Sequence, residues 1–346
     1  MSNSDGSRFL LRLACFLPFA GGLILIDWIS LQPPVKGRFT HILDGAATAL
    51  VSGKTIVSHA DMRDLKPIWI ERLHSRRDVV ILGSSRLAQI PQDWFQPRST
   101  LNAALLAGDF ADTVSILQLC LDTGKSPQLV LVELNPSLTF EGKSYVAPAL
   151  STYYRRALLH YKIFSPVLLS GPLSLDALRW DPQIFLHPGV WRISNEFDPG
   201  AYRMRPDGSA DWDLTESGAT PDQVEASVVS AMKRLDPTYS HWRATSHPGW
   251  FDLRILRAFL DDLQSRRIRV VVMLVPVHPA AFDFYARQGG YNESWIRQEM
   301  APRGITVIGS YSPSIAGATR ADFYDDVHVK ASLLHRLLRE GGIVDQ

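Results

Sequence analysis

Cysteine is nearly absent: Cys15 and Cys120 are the only two in 346 residues. Cys15 lies in an apolar N-terminal stretch and Cys120 in an amphipathic segment, so a disulfide between them is not expected. No Cys/His spacing suits a metal site, and the low cysteine count leaves the redox compartment open. Runs of lysine and arginine are also missing. With 36 basic and 35 acidic residues, the formal charge of +1 gives no reason to expect a nucleic acid partner. Internal repeats and low-complexity tracts are lacking too. What remains is a globular composition, 46% hydrophobic and 21% charged, long enough for one large or two modest domains.

The N-terminus reads as a membrane anchor. Arg8 and Arg12 precede an apolar run from Leu13 to Leu31, interrupted at Asp27. Only Leu13 to Ile26 is free of charge, which is about the length of a signal-peptide core. Trp28 suits a membrane–water interface, and Pro33-Pro34 would end the helix. No small-x-small cleavage site follows directly, since Ala47-Thr48-Ala49 is too distant. Arg12, three residues before Cys15, argues against a lipoprotein signal. We therefore expect an uncleaved signal anchor over residues 1–34, with a cleaved signal or a buried soluble helix as the alternatives. The two arginines would leave the N-terminus in the cytoplasm and the body of the protein outside.

Residues 35–77 read as a juxtamembrane segment with helical stretches such as Asp61 to His74. From there the pattern changes. Val79–Leu82, Gln128–Glu133, Arg267–Val277 and Gly304–Gly309 are short apolar runs of the kind buried on both faces of a sheet, with a weaker one at Thr100–Leu106. Between them, Phe110–Asp122, Phe251–Arg266 and Val329–Arg339 carry apolar residues at helical spacing. Strands alternating with helices predict a parallel sheet covered on both sides, with ligands beyond the carboxyl ends of its strands. Ser84, Ser85, Asn135 and His278 all follow strand ends and would share that face. The rhythm is lost between about 140 and 250, a region rich in Trp, Tyr, Pro and Arg with turn signals at Asp198-Pro-Gly200 and Pro206-Asp-Gly208. It is expected to cap the sheet edge or to build a substrate cleft.

Two segments carry chemistry. Asp78-Val-Val-Ile-Leu-Gly-Ser-Ser-Arg86 is an apolar strand stopping at Gly83-Ser84-Ser85, and Asp325-Asp-Val-His328 puts a carboxylate three residues before a histidine. A serine at a strand end and a late Asp-x-x-His pair can supply a nucleophile, a base and an orienting acid. Ser84 competes with Ser85 as nucleophile, and Asp326 with Asp325 as orienting acid. Asn135, before Pro136, is also a plain turn former.

Gly83-Ser84-Ser85, Asn102 with Gly108, Asn135, and Asp325-x-x-His328 stand in the order of the sequence blocks of the SGNH hydrolases, the GDSL-like esterases, which the chain resembles over roughly 78–136 and 265–341. The resemblance is nearest to membrane-anchored envelope members, such as the alginate O-acetylation proteins and the D-alanyl transfer protein of lipoteichoic acid synthesis. It rests there on the anchor, the Gly-Ser-Ser block and Tyr324-Asp325-Asp326-Val327-His328. It implies a flavodoxin-like three-layer α/β/α sandwich with a parallel sheet over residues 78–346, after one N-terminal membrane helix. It further implies Ser85 as nucleophile, His328 as base, Asp325 as orienting acid, and Gly108 and Asn135 as oxyanion donors, with no cofactor and no metal. The chain departs from the esterase pattern at Ser84 (usually Asp), at Arg86 (usually Leu), and in a glycine at 108 that comes about one residue late. The third block, Glu133-Leu134-Asn135-Pro136, stands where Gly-x-Asn-Asp is usual.

Arg86, His278 and Tyr154 are weaker candidates for substrate contact. Arg86 could meet an anionic group or pair with a carboxylate, and His278 follows the strongest strand. Tyr153, Tyr154, Arg155 and Arg156 could line a sugar groove or simply pack. The expected function is transfer of an acyl group, acetyl first, to hydroxyls of an envelope or secreted polysaccharide. It would take place on the outer side of a bacterial cytoplasmic membrane, beside a multi-pass membrane acyltransferase. An esterase with the same triad and a non-catalytic polysaccharide-binding scaffold are the alternatives.

Overall fold

The computed structural model describes residues 38–135, 148–163, 191–194, 201–211, 220–234, 250–287 and 291–345. The expected anchor at 1–34 and the Asp198-Pro-Gly200 turn lie outside them. None of the described helices is long and apolar enough to cross a membrane.

Five strands form the parallel sheet: β2 (Val79–Leu82), β3 (Thr100–Asn102), β4 (Leu129–Glu133), β8 (Arg269–Leu274) and β9 (Thr306–Gly309). Their lateral order is β3-β2-β4-β8-β9, with every neighbouring pair parallel. Counted by appearance along the chain this is 2-1-3-4-5, an order compatible with a flavodoxin-like arrangement. β2 and β4 are buried along their whole length, which is why they read as unbroken apolar runs rather than as alternating ones. The chain leaves β2 toward β3 and then doubles back past it to β4. With right-handed crossovers, that reversal puts the two connections on opposite faces. It also opens a crevice at the carboxyl ends of β2 and β4, where ligands bind in such sheets.

The helices around the sheet start and stop where their sequences dictate. α1 (Arg38–Val51) precedes β1 (Ile56–Ser58) and α2 (Met62–Arg72); Asp61 caps α2, accepting the Arg63 N–H. The short α3 (Ser85–Ala88) follows β2 directly, and α4 (Phe110–Asp122) begins with a capping box between Asp109 and Asp112. Further along come α5 (Pro148–His160), α6 (Pro221–Arg234), α7 (Trp250–Ser265), α8 (Pro279–Ala286), α9 (Ser294–Met300) and α10 (Ala331–Glu340). In α7 the buried face is Ile255, Leu256, Phe259, Leu260 and Leu263, with Leu253, which shares their helical spacing, only half-buried, and Phe259 meets Phe110 of α4 edge-on. One buried apolar cluster runs from Leu43 of α1 to Val344 beyond α10. Residues 43–73 therefore share the core of the sheet domain, with no break near residue 77.

A second sheet explains part of the 140–250 region. β1 is the centre of an antiparallel sheet in the order β5-β1-β6-β7, where β5 is Trp191–Ile193, β6 Tyr202–Met204 and β7 Ala210–Asp211. Its β6–β7 turn carries Pro206-Asp207-Gly208 and closes over edge strand β3. The Asp207 carbonyl accepts the Asn102 N–H at 2.7 Å, and its carboxylate accepts the Gln92 N–H at 2.5 Å. Gly208 sits at φ +85°, and a Cβ there would lie 2.3 Å from the Asn102 carbonyl oxygen. The turn can approach this closely only as glycine. This turn of the insertion thus caps the sheet edge.

Lys66 of α2 is fully buried beneath this cap. Its Nζ donates to the carbonyls of Asn102, at 3.0 Å, and Ala104. Burial lowers its pKa to about 7, against a smaller opposing pull from Asp207. In the unfolded chain a lysine holds its proton to about pH 10.4. The unfolded state therefore binds more protons between these values, and this group makes stability rise with pH across that window. We expect wild type to gain stability over Lys66→Met by roughly 1 kcal/mol per pH unit between pH 7 and 9. Urea unfolding of both proteins at several pH values checks this. A constant difference would show that Lys66 does not change its charge on folding.

Candidate active site

Gly83 ends β2 with φ +151°. A Cβ there would fall 2.6 Å from Cβ of Glu133, on the adjacent strand, and 2.8 Å from its Oε2. Only glycine lets the chain pass this close. Immediately afterwards the backbone is tied to that carboxylate. Ser84 donates both its N–H and its Oγ–H to Glu133 Oε2, each at 2.8 Å. The Ser84 Oγ also accepts the Arg86 N–H, which starts α3. Arg86 places Nη1 3.4 Å from Glu133 Oε1 and gives Nη2 to the carbonyls of Val275 and Pro276, beyond β8. Both charges are buried, with side chains 5% and 0% exposed for Arg86 and Glu133.

This network assigns the two serines. Ser84 Oγ is spent on Glu133 and buried. Ser85 is half-buried, with its Oγ 2.8 Å from Nε2 of His328. Nδ1 of His328 lies 2.7 Å from Oδ2 of Asp325. Burial raises the Asp325 pKa, but the His328 hydrogen bond, the His328 charge and the N–H groups of Val327 and His328 outweigh it, and the net shift is downward. An ionised carboxylate only accepts, so Nδ1 carries a proton, and in the neutral imidazole Nε2 turns its lone pair to the Ser85 hydroxyl. The other oxygen of Asp325, Oδ1, accepts the N–H groups of Val327 at 2.9 Å and His328 at 2.7 Å. One carboxylate thus holds both the loop and the imidazole. Asp326 contributes its carbonyl, which accepts the His278 N–H at 3.0 Å. The loop is closed by the Phe323–Val329 bridge, and Gln89 Nε2 donates to the Val329 carbonyl at 2.6 Å.

Four of the expected site residues stand elsewhere or do something else. Gly108 is beside the site, its backbone packed against the Gly83 carbonyl, but its N–H donates to Leu105 O at 3.0 Å and closes a turn. It is not offered to an oxyanion. Arg86 is buried and pairs with the Glu133 carboxylate, the second of the two roles open to it. His278 is buried at 1% exposure, edge-on to Phe323, with Nε2 3.7 Å from Glu225 of α6. It supports the Asp325 loop instead of lining a cleft. Burial lowers its pKa, opposed by Glu225. Tyr154 is buried in α5, which pushes its hydroxyl pKa up, and it forms no sugar platform. Its neighbours are structural as well: Tyr153 donates to Glu71 at 2.5 Å, and Arg156 pairs with Asp122 at 3.0 Å. Asn135 is half-buried at the expected edge, two residues beyond Glu133. The preceding Leu134 is held by its N–H to the Met273 carbonyl and by the Tyr311 hydroxyl on its own carbonyl.

The residue missed by sequence reasoning is Glu133. Its signal was a lone carboxylate closing an otherwise apolar strand. Removing one partner of a buried ion pair strands the other charge, at about 3–5 kcal/mol. We expect Glu133→Ala to lose that much in urea unfolding, and Glu133→Leu combined with Arg86→Met to recover most of it. A double variant no more stable than Glu133→Ala would mean that the pair is not what the charge removal disturbs.

No protein-family model, no curated protein and no solved structure matches this chain, so its functional reading rests on this geometry.

Proposed function

We propose that this chain is an SGNH-like serine acyltransferase, a three-layer α/β/α enzyme that moves an acyl group, acetyl first, onto hydroxyls of an extracytoplasmic polysaccharide. The observation that carries this reading is the Ser85–His328–Asp325 relay, with contacts of 2.8 and 2.7 Å, at the carboxyl ends of the parallel strands. His328 Nε2 takes the Ser85 proton as Oγ attacks the acyl carbonyl. The carbonyl electron pair moves to oxygen, and the oxyanion is met by the Ser85 N–H and the Asn135 side chain. Collapse of this intermediate breaks the bond to the leaving oxygen, which takes the proton from His328 and departs as an alcohol. The acyl group stays on Ser85. A sugar hydroxyl then gives its proton to His328, attacks the acyl-serine, and leaves esterified as Ser85 recovers its proton. Asp325 holds the tautomer and stabilises the imidazolium throughout.

Hydrolysis differs only in that water takes the place of the sugar, and an esterase with the same relay is the second reading. The half-exposed side chains of Asp325 and His328, 33% and 31%, favour neither. The sequence of residues 1–34 supports a membrane anchor with the site on the extracytoplasmic face, and a multi-pass membrane acyltransferase would supply acyl groups there.

Acetyl release and transfer from p-nitrophenyl acetate, with and without oligosaccharide acceptors, tests both readings. We expect Ser85→Ala and His328→Ala to lose about a thousandfold or more in kcat while melting like wild type. Asp325→Asn should lose nearly as much, because an amide can leave the imidazole in the wrong tautomer. Acetylated sugar among the products selects transfer, and free acetate alone selects the esterase. Equal inertness of wild type and variants, all folded, would leave a non-catalytic scaffold.

A further inference from the structure

The loop between β3 and α4 runs past the Gly83 carbonyl, which accepts the Leu105 N–H at 2.9 Å. It is gripped from its other side by Arg63, on the first turn of α2. Arg63 donates to the carbonyls of Leu106 at 2.8 Å and Ala107 at 2.5 Å, and its Nε donates to Asp112 Oδ2 at 2.9 Å. Asp112 is itself buried in the capping box of α4 and so holds the guanidinium from below. Three contacts from one planar group fix two successive peptide planes.

That grip has a geometric result. In a trans peptide the carbonyl and the next N–H point in opposite directions. With the Leu106 carbonyl turned to Arg63, the Ala107 N–H points away from it. Among the described residues that N–H has no acceptor, and Ala107 is exposed. Ala107 also sits at φ +49°, a left-handed conformation that costs an alanine about 1–2 kcal/mol. Strain of this kind persists where the surroundings over-determine it, and the Arg63 contacts do so here.

We infer that Arg63 is a positioning residue of the acyl-transfer site: it fixes the Leu106–Ala107 peptide so that the Ala107 N–H, in place of that of Gly108, is the second main-chain donor to the oxyanion. The inference rests on the acyl-serine reading above. An oxyanion donor acts mainly in the transition state, so its loss lowers kcat and leaves KM nearly unchanged.

The test compares p-nitrophenyl acetate with p-nitrophenyl thionoacetate, using the full-length chain. The sulfur of a thionoester accepts hydrogen bonds poorly, so a weakened oxyanion site costs the oxygen ester more. We expect Arg63→Met to lower kcat on the oxygen ester by about 100-fold, with KM within about twofold. The thionoester should lose under about fivefold. If Arg63→Met does not fold, Arg63→Lys, which keeps the cation and one carbonyl contact, carries the same comparison with an intermediate loss. Equal losses on both esters, or no loss, overturn the role of Arg63. Should Ser85→Ala match wild type, or wild type be inert, the acyl-serine reading fails and this inference with it. An inert Ser85→Ala beside a fully active Arg63→Met removes this inference alone.

Discussion

The carboxylate of Glu133 organises the end of the sheet. A buried charge must be met by hydrogen bonds and a counter-charge, or it is not tolerated. Here one oxygen takes the N–H and hydroxyl of Ser84, and the other faces the Arg86 guanidinium. Residues 84 and 86 are therefore anchored into the sheet, and Ser85 between them is left to meet His328. Gly83 has to be glycine because the chain turns directly over that carboxylate. The position of the serine that meets His328 follows from a charge on the neighbouring strand.

The opposite half of the site is held by a similar economy. Asp325 uses one oxygen to shape its own loop and the other to orient His328. Without the first task the imidazole would hang on a flexible turn. The loop is in turn moored to the sheet side by the His278 N–H and to α3 by Gln89. Gln89 follows Ser85 by four residues, so the mooring reaches both partners of the Ser85–His328 contact. Asn102 works from beneath, its amide donating to the carbonyls of Leu87, Ala88 and Ile90 where α3 ends.

The strands and helices were legible because burial on both faces leaves an unmistakable apolar run, as at Val79–Leu82, and because α7 and α10 carry strong helical stripes. The Ser85, Asp325 and His328 grouping was legible because strand order and local spacing bring such residues to one edge. What was not legible depends on distant contacts. Nothing in residues 56–58 announces that they pair with residues 191–193 and 202–204. For Arg86 the sequence left an anionic group and a neighbouring carboxylate equally open, because its partners, Glu133 and the carbonyls of Val275 and Pro276, come from two other strand ends. Gly108 enters only through the resemblance, whose second block supplies a glycine N–H, and the left-handed residue of that loop is Ala107. For Tyr154 and His278 the sequence left packing and substrate contact open, and both are buried.

The places where the chain departs from the pattern it resembles are physically connected. A serine at 84 removes a carboxylate from the turn before the nucleophile. A glutamate at 133 puts one back, two strand positions before Asn135 and within 2.8 Å of the same turn. Alone, that carboxylate would be a buried negative charge close to the oxyanion of the proposed reaction and would oppose it. Arginine at 86, where the pattern has leucine, supplies the opposite charge, so the network beneath the nucleophile stays neutral overall. Any one of these three residues without the other two would leave an unpaired charge or an empty hydrogen bond in the interior. In the proposed reaction these three residues together would support the nucleophile from the neighbouring strand instead of from the turn, while the contacts through His328 to Asp325 would be left as the group whose charge varies as the proton moves.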